Sequence, residues 1–267
     1  MTPGIDFTGA VVLVTGGARG VGRGITEGFL AAGADVVICG RSEPDERDLP
    51  SAAGRRAVFV PADVRQAEQA TAAVSGAVER FGRLDVLVNN AGGSPAVPAA
   101  DASARFSSQV VALNLLAPLH CAQAANAVMQ RSADGGCIVN IGSVSALRPS
   151  PGTAAYGAAK AGLVSLTRSL AIEWAPKVRV NCVVAGMIAT EAAEDHYGGA
   201  AGLAAVAATV PLGRMGTPGD VAGACLFLAS PSLASYVSGA ALEVHGGGER
   251  PPFLGVVEEH RGGPPRA

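Results

Sequence analysis

The sequence predicts an α/β fold: one doubly wound domain on a mostly parallel, seven-stranded sheet with helices on both faces. Three observations carry that expectation. Short, near-continuous apolar runs rich in Val and Ile recur along the chain, as strands buried on both faces require. Longer stretches of helical pattern separate them, and alternating strands and helices imply parallel strands joined by crossovers. Glycine is abundant, at 36 of 267 residues against a usual share of about 7%, so tight turns or close backbone approaches are frequent.

Taken in order, the expected strands cover residues 10–15, 34–39, 56–60, 84–88, 137–141, 178–183 and 240–245. The expected helices lie near 21–32, 66–81, 102–131, 154–175 and 218–229. Residues 40–54 (GRSEPDERDLPSAAG) are polar and turn-rich and read as a surface loop. Residues 185–210 hold few strand or cap signals and read as a mobile flap after the sixth strand. The Gly- and Pro-rich stretch from Gly246 onward is expected to be largely irregular. The domain then spans 1–248, with the flap near 185–210, and 249–267 forms a C-terminal tail. A chain of this length suits one large domain, and neither a fixed-period repeat nor a linker divides it.

The bulk charge narrows the partners. A net charge of −2 with 16% charged residues offers no electrostatic reason to bind nucleic acid or an anionic membrane. The five cysteines are scattered and form no CxxC, so neither a disulfide framework nor a zinc site is expected. His120, His196, His245 and His260 show no ligand spacing, and no metal is predicted. The N-terminus lacks a signal-peptide pattern, and no run is read as approaching the ~20 strongly apolar residues of a membrane span. A cytoplasmic protein is expected.

The glycines cluster where chemistry is possible. The first strand runs into Thr15-Gly16-Gly17-Ala18-Arg19-Gly20-Val21-Gly22, and a helix follows. A strand-to-helix turn without side chains lets a pyrophosphate approach the backbone, and the helix N-terminus presents free N–H groups to it. The strict GxGxxG string is absent, and such a turn alone has an ordinary packing explanation. Further on stand Asn89-Asn90-Ala91-Gly92 after the fourth strand, Asn114 within Leu113-Asn114-Leu115, and Ser143 after the fifth strand. Tyr156 and Lys160 frame Tyr156-Gly157-Ala158-Ala159-Lys160. Four apart on a helix, they share one face and can meet over one ligand. A neighbouring ammonium favours phenolate, so Lys160 is expected to lower the Tyr156 pKa.

Gly16, Gly20 and Gly22 match TGxxxGxG, residues 89–92 match NNAG, and Tyr156 and Lys160 match YxxxK. In this order, from about Gly9 to Gly248, the chain resembles the short-chain dehydrogenase/reductase family. The resemblance implies a Rossmann-type fold and NAD(P)-dependent interconversion of a ketone and a secondary alcohol. Tyr156 would be the general acid/base, with Ser143 orienting the substrate oxygen. Lys160 would also hold the nicotinamide ribose, and Asn114 would hold a water that relays protons. Gly16, Arg19, Gly20, Val21, Gly22, Arg41, Asp63 and Val64 are expected cofactor contacts. Asn89, Ala91, Gly92, Tyr156, Lys160, Ile188 and Thr190 complete the cofactor set. Ser94, Ser145 and the pair His196-Tyr197 are further candidates for the substrate pocket.

Two departures stand out. Ala185 replaces the proline of the family's Pro-Gly pair, which predicts a less fixed flap. His245 occupies a position where relatives often have an acid. For cofactor choice, the second strand ends Ile38-Cys39-Gly40-Arg41, without the acid that accepts from a ribose 2′-hydroxyl. NADP(H) is therefore favoured, with NAD(H) the alternative: Arg41 and Arg19 suit a 2′-phosphate, although Glu43 and Asp45 could partly neutralise Arg41. A homotetramer acting on a small-molecule ketone or alcohol is expected, with the substrate open. Two other readings compete. A non-catalytic dinucleotide sensor or scaffold would fit better if Tyr156 or Lys160 were missing. An extended-branch epimerase or dehydratase would need a longer C-terminal domain.

Overall fold

A computed structural model of the chain describes residues 5–191, 193 and 197–261. The apolar runs form β1 (Val11–Thr15), β2 (Asp35–Gly40), β5 (Val58–Pro61), β6 (Val86–Asn89), β7 (Gly136–Ser143), β8 (Val178–Ala185) and β9 (Ala241–Val244). They build one seven-stranded sheet in the order β5-β2-β1-β6-β7-β8-β9. Every pairing in it is parallel. The crossovers are α1 (Gly20–Ala31), α2 (Ala67–Phe81), α3 (Ala104–Val111) running through a π turn (Ala112–Leu116) into α4 (Ala117–Met129), α5 (Ala154–Glu173) and α7 (Pro218–Ala229).

Strand composition explains the two layers. In β1, Val12 and Val14 face a core shared with Ile25, Phe29 and Val221, on the side of α1 and α7. Val11 and Leu13 face the opposite core with Ala70, Val74 and Cys121, on the side of α2 and α4. Both faces are apolar because both are covered, and each such side chain contributes about 1.5–3 kcal/mol on burial. A chain of polar groups crosses the interior, with Asn89 Oδ1 left without a hydrogen-bond partner among the described residues. Asn89 Nδ2 donates to Asn140 Oδ1 at 2.9 Å, Asn140 Nδ2 to Thr167 Oγ1 at 2.9 Å, and Thr167 Oγ1 to the Leu163 carbonyl at 2.8 Å. This chain ties α5 to β7 and β6, which sets the height of Tyr156 and Lys160 above the sheet.

Three expectations about irregular segments are corrected. Residues 40–54 begin as a loop, but a 3-10 turn (Glu46–Asp48) follows and β3 (Ser51–Ala52) pairs antiparallel with β4 (Arg55–Arg56). The hairpin turn puts Ala53 at φ +50°, a conformation alanine does not signal. The flap region contains α6 (Gly199–Thr209), whose alanines supply propensity without any apolar stripe. The tail contains α8 (Pro252–Arg261), opened by a proline at its first position, where no N–H is missed.

Among the described residues one helical stretch, Ala104–Met129, is long and apolar enough by length and composition to cross a membrane, which corrects the reading that none approaches that length. It packs here against α2, α5 and the sheet. His196 lies outside the described residues.

Candidate active site

The sheet order places β1 between β2 on one side and β6 on the other. The chain thus winds in opposite directions from this point, and a crevice opens at the strands' C-terminal ends. The glycine turn lies at its mouth. A Cβ at Gly22 would stand 2.2 Å from the Gly16 carbonyl oxygen and 2.4 Å from Asn90 Nδ2, so only glycine lets the first helical turn fold back on the strand. Thr15 and Asn90 lock the two loops together. Thr15 Oγ1 accepts from the N–H groups of Asn90 and Ala91 at 3.0 and 2.9 Å, and Asn90 Nδ2 donates to the Thr15 carbonyl at 2.9 Å.

The flap base is tied to the Gly216 segment by backbone hydrogen bonds. Gly216 N–H donates to the Met187 carbonyl, and Ala189 N–H to the Gly216 carbonyl, both at 2.8 Å. Ile188 bridges Gly216 as a lone parallel pair. Thr190 then stands over the turn, its Cγ2 3.6 Å from where a Cβ on Gly20 would project. Beside it Glu191 Oε1 accepts from the Gly20 N–H at 2.7 Å. Arg19, the N-cap of α1, makes no side-chain capping bond, and an acid from 171 residues away supplies one instead. The dinucleotide's pyrophosphate fits this cradle, because the chain itself seats an anionic oxygen there.

Deeper in, α5 brings Tyr156 and Lys160 against the end of β7. Tyr156 stands beside Ser143, and burial pushes its phenol above the ordinary value while the serine hydroxyl opposes the shift. Lys160 is 3% exposed, and its Nζ donates to the Ile141 carbonyl at 2.7 Å. Burial pushes Lys160 down to about 8, opposed by nearby Cys182. The expected lysine-driven lowering of the tyrosine pKa is therefore not realised in the chain alone. Desolvation of the phenolate dominates, and the ammonium sits 5.6 Å from the ring centroid, held by the strand backbone.

Asn114 occupies the π turn, where Nδ2 donates to the carbonyls of Gly93 and Val110, both at 2.9 Å. Its Oδ1 accepts from the Gly93 N–H at 2.9 Å. A Cβ on Gly92 would lie 2.8 Å from Asn114 Oδ1 and 3.3 Å from Lys160 Nζ. The bare backbone there lets amide and ammonium face the same small space. π turns of this kind often mark functional positions.

Not every predicted contact is brought to the crevice. The Asn89 side chain is buried in the interior network and bonded to Asn140 and the Pro118 carbonyl, because β6 turns it inward. Val64 is buried. The Asp63 carboxyl is held below its ordinary value by bonds from Arg65, one at 2.5 Å, with a smaller contribution from the charge of Arg41. Arg19 and Arg41 are both exposed. Ser145 donates its N–H to Ser143 Oγ at 3.2 Å, and Ser94 Oγ is taken by the Pro95 carbonyl. Tyr197 reaches Met187 Sδ at 3.5 Å.

Sequence reasoning missed Thr15 and Asn90, although both stand inside the quoted motifs. Glu191 it could not have found, since nothing local links it to residue 20. The five cysteines are buried and free, with burial pushing Cys182 up to about 11, which leaves them inert as thiols. Among the described residues no group of His, Cys, Asp or Glu is arranged to hold a metal.

A pyrophosphate cradle at the switch point, opposite a tyrosine–serine pair backed by a buried lysine, defines an oxidoreductase that works with a nicotinamide dinucleotide. A family model described as Enoyl-(Acyl carrier protein) reductase matches residues 16–249. The chain belongs to the short-chain dehydrogenase/reductase family. Over 259 residues it is 39% identical to the L-fucose dehydrogenase of Oryctolagus cuniculus, covering 93% of this chain and 88% of that protein. The L-rhamnose 1-dehydrogenase (NAD(P)(+)) of Azotobacter vinelandii is 38% identical, over 88% of this chain and 95% of its own. Among solved structures, the aldohexose dehydrogenase of Thermoplasma acidophilum superposes with a TM-score of 0.82 at 31% identity, covering 90% of this chain and 94% of its own.

Proposed function

We propose that the protein interconverts a polyhydroxylated, sugar-like secondary alcohol and its carbonyl form, with Tyr156 as the group that exchanges the proton. The convergence of Tyr156 on Ser143, beside buried Lys160, carries this reading. A bound nicotinamide dinucleotide supplies or accepts the hydride. Ser143 holds the reacting oxygen, and Tyr156 gives its proton to that oxygen in reduction or takes it in oxidation. The raised phenol pKa keeps the proton on Tyr156 through the neutral range until a positive charge arrives nearby. Lys160 holds the ribose, and Asn114, with one lone pair of Oδ1 still open, holds the relay water. The sugar-like class is supported by the relatives named above.

Arg41 and Arg19 favour NADP(H): both guanidiniums are exposed near the turn, and β2 ends in Gly40 with no acid at its tip. A charge-assisted contact is worth about 1.5–3 kcal/mol, so Arg41→Ala weakens NADPH roughly ten- to a hundredfold and NADH little. Equal losses for the two cofactors, or tighter NADH binding by wild type, defeat that preference. A homotetramer in the reducing cytoplasm completes the proposal. Support comes from Ile172 on α5 and Tyr236 before β9, both fully turned outward. The decisive test follows cofactor absorbance with a panel of aldoses, alditols and simple ketones. Turnover of sugars or polyols is expected; no turnover of any substrate, with dinucleotide still bound, returns the scaffold reading.

A further inference from the structure

A cavity of about 220 Å³ opens beyond Ser143, over the C-terminal ends of β7, β8 and β9. Strand register fixes its place. Ser143 pairs with Ala185, and Ala185 with Val244; the residues that follow each of these form the walls. At about 30 Å³ per water, the space holds roughly seven first-row atoms loosely packed, the far arm of a five- or six-carbon chain.

Its lining carries the polar and charged residues Arg148, Glu243, His245 and Glu249. Arg148, from the turn after β7, donates Nη2 to Glu249 Oε1 at 2.6 Å and Nη1 to the Pro149 carbonyl at 3.0 Å. Arg148 Nε is buried and has no hydrogen-bond partner among the described residues. Across the cavity, Glu243 pairs with His245 Nε2. Met187 and Val144 close the floor with apolar surface. The lining thus holds one permanent cation, Arg148, and two carboxylates, Glu249 bonded to it and Glu243 paired with His245.

We propose that this cavity is the specificity pocket for the remote end of the substrate, and that it takes neutral neighbouring hydroxyls in preference to a carboxylate. The inference rests on the polyol reading above and narrows it. A hydroxyl both donates and accepts, so a vicinal diol satisfies a guanidinium and a carboxylate standing side by side. Arg148 donates to one hydroxyl and Glu249 accepts from its neighbour. An anionic substrate arm would have to displace Glu249 from Arg148 while still facing Glu243, and like charges at this range are disfavoured.

The test compares matched sugars that differ only at the far carbon: D-galactose with D-galacturonate, and D-glucose with D-glucuronate. Wild type is expected to prefer the neutral member by at least about tenfold in kcat/KM, mostly through KM. Glu249→Gln keeps the shape and removes a charge, and it is expected to narrow that ratio about tenfold. Arg148→Ala is expected to cost the neutral sugars about ten- to a hundredfold. NADPH affinity and Tm serve as the controls for folding, and Glu249→Gln carries the test alone if Arg148→Ala fails to fold. A wild type that prefers uronates, or a folded Glu249→Gln with an unchanged ratio, overturns the pocket assignment and leaves the polyol reading standing. Turnover of cyclohexanone with no turnover of any sugar overturns both.

Discussion

Glu191→Gln should make the protein bind its dinucleotide more tightly. In the chain alone the Glu191 carboxylate occupies the Gly20 N–H at 2.7 Å, and α1 has no side-chain cap of its own. A pyrophosphate needs the same end of the helix, so carboxylate and cofactor compete, and the apparent Kd is raised by the fraction of molecules in which the seat is taken. An exposed anion at a helix N-terminus is worth about 0.3–1 kcal/mol, which corresponds to a roughly two- to fivefold effect on Kd. Gln keeps an acceptor oxygen and loses the charge, so the variant should gain most of that factor. Fluorescence titration at low and moderate salt measures it. The gain should appear for NADPH, NADH and ADP, shrink as salt rises, and be absent for adenosine, which has no phosphate. Unchanged or weaker ADP binding by a folded Glu191→Gln refutes the reasoning, because Glu191 would then be spectator or ligand.

Tyr156→Phe should keep the fold and dinucleotide affinity while lowering kcat/KM at least about tenfold, the missing hydroxyl being the proton carrier; retention of more than a tenth of wild-type kcat/KM demotes Tyr156 to binding. Lys160 has a folded pKa of about 8, below its unfolded value. Its charged form is thus disfavoured by folding at neutral pH, and wild-type stability should rise between about pH 8 and 10.5 relative to Lys160→Met, at up to about 1.4 kcal/mol per pH unit. Urea melts across that range check the slope, and a flat difference contradicts a desolvated ammonium. Gly22→Ala drives a methyl to 2.2 Å from the Gly16 carbonyl oxygen and should cost about 1–3 kcal/mol together with dinucleotide affinity, read by the same melts and titration. Light scattering should give four times 26.4 kDa; a monomer at micromolar concentration removes the tetramer.

The amino-acid sequence by itself determined the sheet, because its strands are buried on both faces and their apolar runs need no tertiary context to be seen. The order of the motifs likewise specified the glycine turn and the Tyr156–Lys160 face. Segments whose structure depends on distant partners were not legible. The 51–56 hairpin turns at an alanine with positive φ, and α6 lacks an apolar stripe, so local pattern gave no signal for either. Asn89 matched a cofactor motif, yet the pleat of β6 turns its amide into the core. Only the tertiary structure decided the electrostatics. Burial set the direction of the Tyr156 and Lys160 shifts, and the flap carried Glu191 171 positions back to Gly20. Arg148 and Glu249 are 101 positions apart, and only the parallel register of β7, β8 and β9 brings them into one pocket. Periodicity is a property of neighbours along the chain, whereas desolvation and charge pairing are properties of neighbours in space.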